Sequence, residues 1–134
     1  RPDPDAPGET VYGTRAAHIA ALADALDCGI CWDLGHAHIT GADSPGVSLA
    51  AVGRRLALVH IHDNDGMTDS HALPGEGSID WNAAMAGLRA VGYTGCMDME
   101  LKSSDLPDDR QLRALHAAQA LAAARRLCRM CAGR

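Results

Sequence analysis

Three short stretches of this 134-residue chain end in side chains able to hold a cation or move a proton: Asp33-Leu-Gly-His36, His60-Ile-His-Asp63 and Asp98-Met-Glu100. Carboxylate oxygen and imidazole nitrogen are good ligands for zinc, manganese or cobalt, and both serve as acid/base groups. A fourth cluster, Asp69-Ser-His71, precedes Leu73-Pro-Gly-Glu-Gly77. The glycines and proline predict a fixed turn, one that brings backbone N–H groups to an anionic or hydroxylated ligand. Each feature alone has a plainer explanation. A strand-end Asp is often a helix N-cap, a lone strand His is more often a satisfied core or rim residue, and a His in a Gly-rich loop is often surface turn.

What positions these residues is legible from periodicity. Ile19, Leu22 and Leu26 recur at helical spacing, predicting a helix from about Gly13 to Leu26 that Gly29 ends. Ile30 to Leu34 is a short apolar strand, and a small helix follows from about Ser48 to Leu56. Leu56 to His62 is a nearly continuous apolar run of the parallel-sheet type. The polar stretch from Asp63 to Ser78 is aperiodic and too long to be a mere connector. Asp80 caps a predicted helix to about Val91, with Trp81, Met85 and Leu88 on one face; Gly92 to Gly95 end it. Cys96 to Leu101 is a third strand, and Pro107 opens a final helix to about Cys131.

The alternation of helices and strands predicts an α/β fold with parallel strands and right-handed crossovers. Functional groups in such folds gather at the carboxyl ends of strands, which is where all three ionisable stretches fall. Period 2 puts His60 with His62, and Asp98 with Glu100, on common strand faces. Glu100 lies nearer the loop and is the better ligand, whereas Asp98 is expected deeper with a structural partner. Three successive strands presenting Asp/His, His and Glu are hard to explain as packing, so a shared metal site is predicted. Three strands cannot close a barrel, and each open edge invites pairing.

Composition narrows the partners. A hydrophobic content of 47% suits a packed core, and no run approaches the roughly 18 apolar residues of a membrane span. The net charge of −5 and aromatic content of 3% argue against nucleic acid as a partner. Five cysteines, an odd number, with no export signal favour reduced thiols and a cytoplasmic setting. Cys28-Gly-Ile-Cys31 and Cys128-Arg-Met-Cys131 have zinc-site spacing but fall in predicted regular elements, so buried small apolar side chains are the favoured reading.

Taken together, Cys31-Trp-Asp-Leu-Gly-His-Ala37, Val59-His-Ile-His-Asp-Asn64, Asp69 to Gly77 with Ile79-Asp-Trp81, and Gly92-Tyr-Thr-Gly-Cys-Met-Asp-Met-Glu100 resemble the xylose-isomerase-like barrels. That family covers sugar-phosphate isomerases/epimerases and the type IV AP endonucleases. The resemblance implies the C-terminal part, about strands six to eight, of a (β/α)8 TIM barrel. Residues 1–134 would be one partial barrel domain, with 1–12 a loop entering from a missing N-terminal half.

By the same resemblance, Asp33, His60 and Glu100 hold a divalent ion (Mn, Zn, Co or Mg). Glu100 and His36 are catalytic, and His36, His62 and His71 bind substrate. The family's fifth-strand Glu, a ligand and acid/base group, has no strand counterpart in Arg1 to Tyr12; Glu9 follows Pro7-Gly8 as a loop residue. The implied reaction is isomerisation or epimerisation of a sugar or sugar phosphate through an enediolate, inactive in the isolated chain. A second reading is a zinc phosphodiesterase like the AP endonucleases, with His36, Asp69 and His71 joining the ligands of a three-zinc cluster. A third is a non-catalytic α/β fragment that binds a metal or partner. Poor solubility or assembly through the open strand edge is expected.

Overall fold

In the computed structural model, which describes residues 15–102 and 108–133, the three predicted strands are present and parallel. They are β1 (Ile30–Asp33), β2 (Leu56–Ile61) and β3 (Cys96–Met99), in the order β1-β2-β3. Asp33 stands level with His60, and His60 with Asp98, so these three residues lie abreast across the sheet. Beyond β3, the Glu100 N–H donates to the Ile61 carbonyl at 3.1 Å, carrying the pairing one residue further than the strand proper.

Alternation along the strands divides the sheet into two faces. Ile30, Trp32, Val59 and Ile61 are buried against the helical layer, whose main contributors are Leu49, Val52, Met85, Leu88 and Leu127. Val59, Leu49, Val52 and Leu88 have no exposed surface; each such side chain contributes about 1.5–3 kcal/mol by leaving water. Cys31, Asp33, His60 and Asp98 take the alternate positions and face the other way. That face would be the interior of a closed barrel.

Among the described residues the helices are α1 (Ala16–Leu26), α2 (Leu34–Thr40), α3 (Pro45–Val52), α4 (Trp81–Ala90) and α5 (Arg110–Cys131), with a 3-10 turn at Gly53–Arg55. Several differ from expectation. α1 packs through Ala16 and Ala23, with Ile19 and Ala20 partly buried beside them, while Leu22 and Leu26 are exposed. Asp27, at φ 50°, ends α1 in a left-handed conformation that Asp tolerates, two residues before the Gly29 expected to end it. α3 begins at Pro45, a good first helical residue, and is three residues earlier than expected. α5 starts after Asp109, whose carboxylate accepts from the Gln111 and Leu112 N–H groups. The start expected at Pro107, and residues Gly13 and Glu9, lie outside the described residues.

α2 was not expected at all. Asp33 creates it by accepting the His36 N–H at 2.9 Å, and Gly41 at φ 59° closes it. The cysteines correct a further expectation: Cys28, Cys31, Cys96 and Cys128 are exposed, and Cys131 is intermediate. Cys31 and Cys96 lie on the open sheet face, which three strands leave uncovered. Asp98 is on that face too, with its side chain 63% exposed rather than deep.

Candidate metal and active site

The strand tips converge. Asp33 is the hub: its Oδ2 lies 2.8 Å from His36 Nδ1 and 3.8 Å from His60 Nδ1, and its Oδ1 lies 3.2 Å from His62 Nε2. Asp33 thus caps α2 and faces three imidazoles. Glu100 Oε2 lies 3.1 Å from His60 Nδ1. Among the described residues, two groups bring one ligand atom per residue within 4.8 Å of one another: Asp33, His62 and Glu100, and His36, His62, Asp69 and His71. His60 flanks the first group through its contacts with Asp33 and Glu100. Neither group contains a cysteine.

The second group depends on the loop after β2. Asp63 and Ala72 form an antiparallel bridge, exchanging N–H···O bonds of 2.8 and 2.9 Å, which folds Asp69-Ser-His71 back over the strand tips. His71 adopts φ 48°, an uncommon conformation for a side chain of its kind. Its Nδ1 lies 2.9 Å from the Glu100 carbonyl, an acceptor only, so Nδ1 donates and Nε2 is left to face Asp69 Oδ1 at 3.1 Å.

His62 is fully buried. Its ring stacks on His71 with centroids 3.9 Å apart and meets His36 edge-on at 5.0 Å. Neither ring nitrogen has a hydrogen-bond partner, since the approach to Asp33 lacks hydrogen-bond direction. Burial, together with the neighbouring His71 and His36, lowers its pKa despite Asp33. A neutral, buried imidazole with orphaned nitrogens among carboxylates fits a divalent cation, which takes lone pairs from both ligand types. Burial also opposes charge on His36, but the Asp33 and Asp69 carboxylates at its two nitrogens outweigh it and raise its pKa.

Gly35 makes room for this ring, because a Cβ there would collide with the imidazole of His62. Gly35→Ala should therefore destabilise the protein by about 1–3 kcal/mol through overpacking. At Gly46 a Cβ meets nothing within 4 Å, so Gly46→Ala is the control. Equal melting temperatures for the two variants would contradict this account.

Sequence reasoning passed over the residues that hold the loop. Asp63 is fully buried, and its carboxylate accepts four neutral donors: the N–H groups of Asn64 (2.9 Å), Gly75 (2.7 Å) and Ile79 (3.2 Å), and the Trp81 indole N–H (2.8 Å). Asn64 donates to the Gly35 carbonyl at 2.9 Å, tying the loop to the first turn of α2. The available signals were an Asp-Asn pair opening a long aperiodic loop, and a tryptophan N–H in need of an acceptor.

The family model for the xylose isomerase-like TIM barrel matches residues 4–129. The chain belongs to that family. A solved structure of a D-tagatose 3-epimerase-like protein superposes with a TM-score of 0.61 at 24% identity, over 89% of this chain and 45% of the other. The xylose isomerase-like chain is also 36% identical over 70 residues to a fructoselysine 3-epimerase of Escherichia coli O157:H7, covering 52% of this chain and 24% of that protein. An uncharacterized protein of Methanocaldococcus jannaschii is 36% identical over 81 residues, 60% of this chain and 28% of its own length. The chain thus spans about a quarter of these curated relatives. Its fold is the α/β arrangement of part of a TIM barrel.

Proposed function

We propose that this chain carries the metal-binding portion of an isomerase or epimerase acting on a sugar or sugar phosphate. The observation that supports the reading is the meeting of Asp33, Glu100 and the buried His62 within 4.8 Å at the strand tips, with His60 beside Asp33 and Glu100. Asp33, His60 and Glu100 are the proposed ligands. A divalent ion (Mn, Zn, Co or Mg) held there would polarise substrate oxygen, which would acidify the neighbouring C–H and favour an enediolate. Glu100 moves the proton on one face of the substrate carbon. His36, half exposed beside Asp33, orients a substrate hydroxyl or phosphate, and His71 does the same from the loop. His62 backs both rings and meets substrate only where they part.

A cleft of ≈ 220 Å³ lined by Ile19, Trp32, Asp33, His36 and Thr40 runs beside β1. The proposed partner there is an N-terminal half-barrel, which would complete the ligand set and supply the second acid/base group. The five free cysteines support a cytoplasmic setting.

The second reading, a zinc phosphodiesterase like the type IV AP endonucleases, is favoured by the compact group of His36, His62, Asp69 and His71. Two measurements on the complete barrel separate the readings. Elemental analysis is expected to give about one ion per chain for the isomerase and about three for the nuclease. Incubation of ketoses and ketose phosphates with the Mn-loaded protein in D2O should place deuterium on the carbon next to the carbonyl. A metal-loaded barrel that exchanges none of them, yet cuts abasic DNA, would overturn the isomerase reading.

A further inference from the structure

We infer that Asp98 is a positioning residue: standing 3.9 Å from His60 Nε2, it takes up that nitrogen's N–H by a side-chain rotation or through one water, and so keeps the Nδ1 lone pair turned toward Asp33 and Glu100. The inference rests on the metal reading above and concerns how one ligand is aimed. In the register of the sheet, Asp33, His60 and Asp98 stand abreast on the open face. His60 points Nδ1 at Glu100 (3.1 Å) and Asp33 (3.8 Å), and turns Nε2 to Asp98 Oδ2 at 3.9 Å.

A neutral imidazole has one N–H and one lone pair. For Nδ1 to ligate, the proton must sit on Nε2, and an acceptor at Nε2 fixes both the tautomer and the ring's rotation. Without such an acceptor, Glu100 alone would favour the opposite tautomer, with Nδ1–H donated to its carboxylate. Among the described residues Asp98 makes no hydrogen bond and no other ion pair, and its side chain is 63% exposed. It is therefore free to swing onto Nε2, or to reach it through one water. Nothing in the packing of β3 asks for a carboxylate at this position; the adjacent Met97 and Met99 face the core instead.

The test uses the complete barrel, labelled with 15N-histidine and titrated with zinc. In the unsubstituted protein, His60 should bind zinc through Nδ1 and keep its proton on Nε2. Asp98→Ala should weaken zinc binding about 10–100-fold, with the His60 Nε2–H signal lost or the ring bound through Nε2. Asp98→Asn, whose carbonyl can still accept the N–H, should recover most of the affinity. Melting temperatures of both variants should match the unsubstituted protein, because the side chain is exposed. If Asp98→Ala binds zinc normally with His60 still ligating through Nδ1, the inference fails alone. Equal losses for Asn and Ala with an unchanged His60 tautomer would also overturn it, leaving only a charge effect. An unsubstituted protein that binds no zinc would overturn the metal reading, and this inference with it.

Discussion

Glu100→Gln is expected to cut turnover of the complete barrel by about 10²–10⁴-fold while leaving the fold intact. The backbone of residue 100 is bound on both sides: its N–H donates to Ile61, and its carbonyl accepts from His71. Neither bond involves the side chain, so glutamine keeps the loop and sheet contacts. What it loses is the ability to take a proton and the negative charge beside His60 Nδ1. Its amide NH2 could also turn toward that nitrogen and compete for the lone pair. The measurements are kcat with the best-exchanging ketose, deuterium wash-in at the substrate carbon, and the melting temperature. A kcat within threefold of the unsubstituted enzyme would remove Glu100 from the proton path. Lost turnover with normal wash-in would assign the slow step elsewhere.

The parts of this site that were legible in the sequence are those carried by strands. A continuous apolar run such as Leu56 to Ile61 fixes a buried parallel strand, and period 2 then fixes which residues share its open face. Asp33, His60 and Glu100 were accessible to such reasoning because each lies at a strand end. α2 was not, since seven residues with a glycine and two histidines carry too little periodicity, and its start depends on one capping carboxylate. Nor was the burial of His62, which requires a loop to return from Ala72 and lay His71 upon it. The exposed Leu22 and Leu26 misled for a related reason: a helix that packs closely through Ala16 and Ala23 buries its small residues first. Spacing alone does not distinguish the two faces.

The second large effect is expected at Asp63, far from any proton transfer. Asp63→Ala should destabilise the protein by about 3–5 kcal/mol, because it strands buried N–H donors that have no other acceptor. For a chain of this size that corresponds to a fall in melting temperature on the order of 10–20 °C. Burial alone would raise the Asp63 pKa, but Trp81, Gly75, Ile79 and Asn64 donate to the carboxylate and hold it below the ordinary 3.8. A carboxyl depressed in the folded state contributes stability that is fully present above its unfolded value and lost as pH falls through the folded one. The gap between the unsubstituted protein and Asp63→Ala should therefore be widest above about pH 5 and narrow below about pH 4. Thermal melts from pH 3 to 7 would read it. Gly77 marks the same clamp, since a Cβ there would collide with the Asn64 carbonyl and the Asp63 carboxylate; Gly77→Ala should mimic the loss. Because the clamp holds Asp69 and His71 but not Asp33, His60 or Glu100, Asp63→Ala below its melting temperature should weaken binding at the loop group far more than at the strand tips. If both variants melt within 3 °C of the unsubstituted protein, the loop is held by something other than this carboxylate.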